Sequence, residues 1–171
     1  MTDPLATLAT ALAARAARYL LIGVSGANFY APRAAAKFVT EDWDLFLPTD
    51  PDNLLLAWTA CEDVGMDLWA GNEPLDRPRD RQLAERVIER RGQVRATGSE
   101  GLKVDLTLVM SGFDFETVWN ERRVFRLGNV DIPTARLMHI VASKHAAGRP
   151  KDQLFLATHK DALEQLLRRP E

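Results

Sequence analysis

The stretch Glu41-Asp42-Trp43-Asp44-Leu45-Phe46-Leu47, closed by Pro48, decides how this chain is read. Aromatic and aliphatic residues stopped by a proline predict a strand. Side chains alternate along a strand, so Asp42 and Asp44 share one face, roughly 7 Å apart, while Trp43, Leu45 and Leu47 take the other and pack against helices. An Asp-x-Asp pair by itself carries little weight in a chain rich in aspartate. Asp50-Pro51-Asp52 shows why: the proline and the helix start behind it make that second copy a turn and a cap.

A later strand repeats the arrangement of the first pair. Within residues 103–110, Val104, Leu106 and Leu108 point one way, and Lys103, Asp105 and Thr107 the other. If the two strands pair, Asp105 lies about 5 Å to the side of the Asp42 and Asp44 face. At that separation and an effective dielectric of ~20, each pair of carboxylates repels by roughly 3 kcal/mol. Protons or a cation must offset that. Hard oxygen ligands, with water and phosphate completing an octahedron, suit Mg2+ or Mn2+. Two such ions about 4 Å apart activate an attacking oxygen and stabilise a pyrophosphate leaving group. This chemistry needs positioning and charge neutralisation more than a special nucleophile. The competing reading is a set of exposed acids that blunt a sheet edge.

The remaining sequence supplies a globular frame for the three acids. Its 171 residues, 46% hydrophobic and 27% charged, fit one domain over residues 1–171 with a genuine core. A net charge of −2 gives no overall attraction to nucleic acid. The single cysteine, Cys61, excludes an intrachain disulfide and a cysteine zinc cluster, and its helical context makes it a packing residue. The Ala- and Leu-rich start carries Asp3, Arg15 and Arg18, unlike a signal peptide, and no stretch reaches membrane-spanning length. The expectation is a cytoplasmic protein with no membrane contact.

Periodicity predicts an α+β chain, with a mixed β-sheet flanked by helices. Asp3-Pro4 opens a helix marked by Leu5, Leu8 and Leu12. Residues 19–23 read as a buried strand, 24–30 as a helix, and 32–39 as a loop holding Arg33 and Lys37. Helices are predicted over 53–64 and 82–90, with a charged loop over 71–80 between them. Residues 93–97 and 103–110 form a hairpin around Gly98-Ser99-Glu100-Gly101, and 124–127 and 130–132 form another around Gly128-Asn129. A short helix over 113–121 lies between the hairpins. C-terminal helices from about 134 pack on the domain: 134–147 ended by Gly148, then 152–158 and 161–168.

Ile22-Gly23-Val24-Ser25-Gly26-Ala27 joins a buried strand to a helix. Glycines let backbone approach a phosphate, and free amides at a helix start attract one. Far along the chain, Leu137, Ile140, Val141 and Lys144 share one helical stripe. A lysine on an apolar stripe needs a partner, which a nucleotide phosphate, the acids or a salt bridge supplies. Asp152 reads as a helix cap.

In this order the pieces resemble the minimal nucleotidyltransferase fold, which includes abortive-infection, toxin–antitoxin and aminoglycoside nucleotidyltransferases. The resemblance runs over residues 19–157. It rests on the strand–glycine turn, Thr40-Glu41-Asp42-Trp43-Asp44-Leu45, Val104-Asp105-Leu106, and the late segment from Ile132 through Lys144-His145-Ala146-Ala147-Gly148-Arg149-Pro150-Lys151-Asp152. It implies Asp42, Asp44 and Asp105 as catalytic, metal-binding residues. It also implies nucleotide phosphates at Gly23, Ser25 and Gly26, with Lys144 beside them. The activity implied is Mg2+-dependent transfer of a nucleoside monophosphate from a nucleoside triphosphate to a hydroxyl on RNA, protein or a small molecule. For the toxin–antitoxin members it implies an antitoxin-like partner or a homo-oligomer.

Two further readings stand beside this one. The same fold with its acids kept serves as a binding or regulatory protein without transfer. Alternatively, Gly23-Val24-Ser25-Gly26-Ala27 nearly matches a nucleophile elbow, making Ser25 a hydrolase nucleophile served by an Asp and by His139, His145 or His159.

Overall fold

The strand that carries Asp44 lies in the interior of the sheet, so its acids blunt no edge. The computed structural model describes residues 3–33, 37–38, 40, 42–98 and 100–169. Among these residues the strands are β1 (Leu20–Ile22), β2 (Trp43–Phe46), β3 (Asp67–Ala70), β4 (Glu73–Pro74), β5 (Val94–Thr97), β6 (Lys103–Thr107), β7 (Arg123–Leu127) and β8 (Val130–Thr134). They form one mixed sheet in the order β4-β3-β5-β6-β2-β1-β8-β7. β2 runs antiparallel to β1 and parallel to β6, while β1 and β8 are parallel. The helices are α1 (Pro4–Ala14), α2 (Gly23–Ala27), α3 (Pro51–Asp63), α4 (Arg81–Glu89), α5 (Phe115–Asn120), α6 (Leu137–Ala147), α7 (Pro150–Thr158) and α8 (Lys160–Leu167).

Local chemistry explains the helix starts. The Asp3 carboxylate accepts from the Leu5 N–H at 2.8 Å, with Pro4 at the first helical position. Asp50 does the same for α3, accepting from the Asp52 N–H at 3.0 Å ahead of Pro51. Each such cap is worth about 1 kcal/mol. Gly148, with φ 60°, closes α6 in the left-handed conformation that favours glycine.

Alternation along the strands divides two cores between the two faces. Leu45 and Leu47, with Val104, Leu106 and Val94, pack under Leu8 and Leu12 of α1, Leu54 and Trp58 of α3, and Leu83 of α4. Cys61 is buried in this layer, which pushes its thiol up to about 12. On the opposite face, Leu20, Ile22 and Phe46 meet Phe115 and Val118 of α5, Leu137 and Ile140 of α6, and Leu163 of α8. No residue of β3, β5 or β6 joins this second layer, so that part of the face is left to the polar side chains described below.

The structure differs from the sequence expectations in several places. Residues 71–80 are not simply a loop: β4 lies there, pairing with β3, a strand that periodicity did not predict. Four residues alternate too briefly to announce a strand, and pairing with β5 is what orders them. Strand 103–110 stops at Thr107. The helix expected from 134 starts at Leu137, because Thr134 pairs with Leu21 and Arg123 and extends β8. Asp152 caps nothing: Arg149 holds the cap position of α7, and Asp152 lies inside the helix, buried. Glu41, Ser99, and Ala34, Ala35, Ala36 and Val39 of the expected loop lie outside the described residues. No helix among the described residues is long and apolar enough to cross a membrane.

Candidate functional site

One register row crosses this second face. Ile22 of β1 is paired with Asp44 of β2, Asp44 with Asp105 of β6, and Asp105 with Arg95 of β5. Parallel pairing of two central strands therefore sets the Asp44 and Asp105 carboxylates side by side, about 4.8 Å apart at the backbone. Asp42, one residue before β2, opens into the same cleft, which has a volume of about 850 Å³.

Arg95 is the site residue that the sequence expectations missed. Its Nε donates to Asp105 Oδ1 at 2.8 Å and its Nη2 to Asp105 Oδ2 at 3.0 Å, a bidentate grip. Nη2 also reaches Asp42 Oδ2 at 3.2 Å. The hydrogen bond to Asp105 is the main reason that the guanidinium is held above its ordinary value. A signal for it was present. Alternation puts Asp105 on the cleft face, and pairing the predicted strand ends Thr97 and Lys103 sets Arg95 opposite it on that face.

Asp44 is treated differently. Among the described residues its carboxylate makes no ion pair and accepts no hydrogen bond. Burial, followed by the nearby charges of Asp105 and Asp42, pushes its carboxyl up to about 6 against the pull of Lys144 and Lys151. The backbone around it is fixed instead. Ser25 Oγ accepts from the Asp44 N–H at 3.1 Å and donates to the Ile22 carbonyl at 2.9 Å, tying the glycine turn to β2.

These contacts separate the four residues expected to bind nucleotide. Gly23 and Lys144 line the cleft; Ser25 and Gly26 do not. Ser25 is fully buried and its hydroxyl is spent on two backbone groups, which is not the pose of a nucleophile or of a phosphate ligand. A Cβ on Gly26 would fall 2.9 Å from the Leu21 carbonyl oxygen and 3.1 Å from Ile140 Cδ1, so that glycine serves packing between β1 and α6. Gly23 is the one that borders the acids. Its φ is +65°, and a Cβ there would fall 2.5 Å from Asp44 Oδ2. Gly23→Ala is expected to destabilise the protein by about 1–2 kcal/mol through the left-handed backbone. It should also push the Asp44 carboxylate aside. Paired denaturation and ligand-binding titrations check this; unchanged ligand affinity would show that Asp44 can retreat without consequence.

Lys144 projects from α6 into the cleft wall and finds its partner in Asp152. Its Nζ lies 3.4 Å from Asp152 Oδ1 and 4.9 Å from the centroid of the Phe155 ring. Arg149 Nε donates to Asp152 Oδ2 at 2.7 Å. Lys151 and Arg91 add two further cations to the lining. The cleft thus has an acidic floor and a cationic wall, the charge pattern that a polyphosphate carrying a cation would complement.

The donor chemistry fits a hard divalent cation at Asp42 and Asp44, with water and phosphate oxygens to complete its shell. Asp105 fits less well, because Arg95 takes both of its oxygens. Among the described residues, no group of three or more His, Cys, Asp and Glu side chains forms a ready metal cage. Comparison with known proteins adds no relative, since no family model and no curated protein matches the sequence.

Proposed function

We propose that this protein is a nucleotidyltransferase, which binds a nucleoside triphosphate with Mg2+ or Mn2+ in the cleft and transfers the nucleoside monophosphate to a hydroxyl acceptor. The observation that carries this reading is the Asp44–Asp105 register on two interior parallel strands, opening on a cleft that Gly23 keeps clear. The topology around it, with β2 antiparallel to β1 and parallel to β6, is consistent with the nucleotidyltransferase resemblance.

In this reading the acceptor oxygen forms a bond to the α-phosphorus as the bond to the bridging oxygen breaks and pyrophosphate leaves. Asp42 and Asp44 would hold the ion, whose charge would offset that of the phosphates and the leaving group. Lys144 and Lys151 orient the phosphates from the cleft wall. Both Asp105 oxygens accept from Arg95 and the other two acids would hold the ion, so the hydroxyl proton passes to water.

A thermal-shift screen of the four ribonucleoside triphosphates with Mg2+ or Mn2+ tests the reading. A triphosphate at ~100 times its dissociation constant adds about 2.7 kcal/mol of stability, which raises the melting temperature by several degrees. The shift should require both the ion and the triphosphate. If no combination moves the transition, the nucleotide reading fails.

One observation favours a second reading, binding without transfer: Arg95 already neutralises part of the acidic floor. Pyrophosphate release separates the two. An enzyme releases it with a suitable acceptor, whereas a binding protein gives the thermal shift alone.

A further inference from the structure

We propose that Arg95 is a resident counter-cation of the acidic floor, holding Asp42 and Asp105 together before a divalent ion arrives and competing with that ion for Asp42. The inference rests on the reading of these acids as a cation site. Its geometry is asymmetric. Arg95 spends two nitrogens on Asp105, at 2.8 and 3.0 Å, and only a shared Nη2 on Asp42, at 3.2 Å. Asp42 is therefore the contact given up first, and Asp105 the one kept longest. The compensation is also incomplete. One guanidinium faces three acids, and the Asp44 carboxylate makes no hydrogen bond or ion pair among the described residues. The floor is left net negative, with an unpartnered carboxylate in register with the one that Arg95 holds.

Exposure distinguishes this arrangement from a core salt bridge. The Arg95 side chain is 38% exposed and lines the cleft, so its guanidinium has room to move off the carboxylates without unpacking the sheet. Asp105 beneath it is nearly buried, with 10% of its side chain exposed, and cannot follow. A planar, permanently charged fork suits this task because it neutralises both oxygens of one carboxylate and still reaches another.

A merely structural clamp and a competing cation predict opposite signs. Cutting a clamp loosens the carboxylates and weakens ion binding. Removing a competing cation leaves uncompensated charge and tightens it. The test is a titration of the full chain with Mn2+ alone, without nucleotide, counting free ion by electron paramagnetic resonance. Arg95→Gln is expected to bind Mn2+ about tenfold more tightly than the wild-type protein. Arg95→Lys keeps the charge and loses the fork, so it should fall between the two. Without Mn2+, Arg95→Gln should melt below the wild type, and Mn2+ should close that gap. If Arg95→Gln does not fold, Arg95→Lys still decides the sign. Wild-type binding with no tightening in either variant overturns the inference alone. No Mn2+ binding by any of the three proteins overturns the cation site itself, and this inference with it.

Discussion

Asp152→Ala is expected to lower the melting temperature by about 10 °C, a larger loss than Gly23→Ala or Arg149→Ala should cause. Asp152 is 1% exposed and carries two cations, Lys144 at 3.4 Å and Arg149 at 2.7 Å. Removing it leaves Lys144, itself only 13% exposed, without its ion-pair partner. That situation costs about 3–5 kcal/mol, and a chain of this size loses about 2–4 °C per kcal/mol. Arg149 is 60% exposed, so Arg149→Ala alone should cost less than about 1 kcal/mol. The double variant Asp152→Ala with Lys144→Met should recover much of the loss, because the stranded cation is then gone. The pH dependence follows from the same contacts. Burial would raise the Asp152 carboxyl, but the Arg149 hydrogen bond and the two positive charges outweigh it and hold it below the ordinary range. Its stabilisation is therefore present above the unfolded value and lost as pH falls through the folded one. Thermal melts of the single and double variants across pH 3–7 check both parts. Equal melting of Asp152→Ala and the wild type at neutral pH would show that Lys144 escapes to solvent.

Asp44→Asn is expected to act in the opposite direction. The folded protein binds a proton at Asp44 more tightly than the unfolded chain does, since its carboxyl is raised from 3.8 to about 6. The contribution of Asp44 to stability is thus full below pH ~4 and is lost as pH rises through 6. Asparagine mimics the protonated form and should remove that loss. At pH 8 without metal, the variant should be about 1–3 kcal/mol more stable than the wild type, a gain that fades towards pH 4. The Ser25 hydrogen bond to the residue 44 N–H is retained, so the turn and β2 stay tied. A divalent ion with a triphosphate should reverse the ranking, stabilising the wild type and leaving the variant unmoved. A residue that destabilises the resting fold and is needed for ligand is the signature of a functional position. Two denaturation series, with and without Mg2+ and triphosphate, supply the readout. A variant less stable than the wild type at pH 8 would mean that the buried charge is compensated by a group outside the described residues.

These two residues also show how far the sequence could be read. Alternation placed Asp42 and Asp44 on one face and Asp105 on the equivalent face of a second strand, because a period of two leaves each side chain only one choice once its neighbours are apolar. The two strands do pair, and Asp44 and Asp105 meet in register. The helical stripe through Lys144 likewise announced a lysine in need of a partner. Its partner was named only as one of several kinds, because Asp152 lies on a separate helix behind Gly148 and Pro150. Gly23, Ser25 and Gly26 look alike as a turn motif, yet one clears space for a carboxylate, one ties two strands and one packs on a helix. Sequence spacing does not carry which atom lies opposite each of them.

By itself the sequence determined most elements and the faces: the helices capped at Asp3 and Asp50, both hairpins, and the acids on the polar side of strands whose other side is apolar. Those follow from local propensities and short periods, which act within a few residues. Only the tertiary structure decided that β2 is an interior strand, that Arg95 grips Asp105 and Asp42, and that the Asp44 carboxylate lacks a partner among the described residues. Most of these are matters of contact between distant segments, as Arg95 and Asp42, 53 residues apart, are. Burial and opposing charge, set by the packed fold as a whole, fix them.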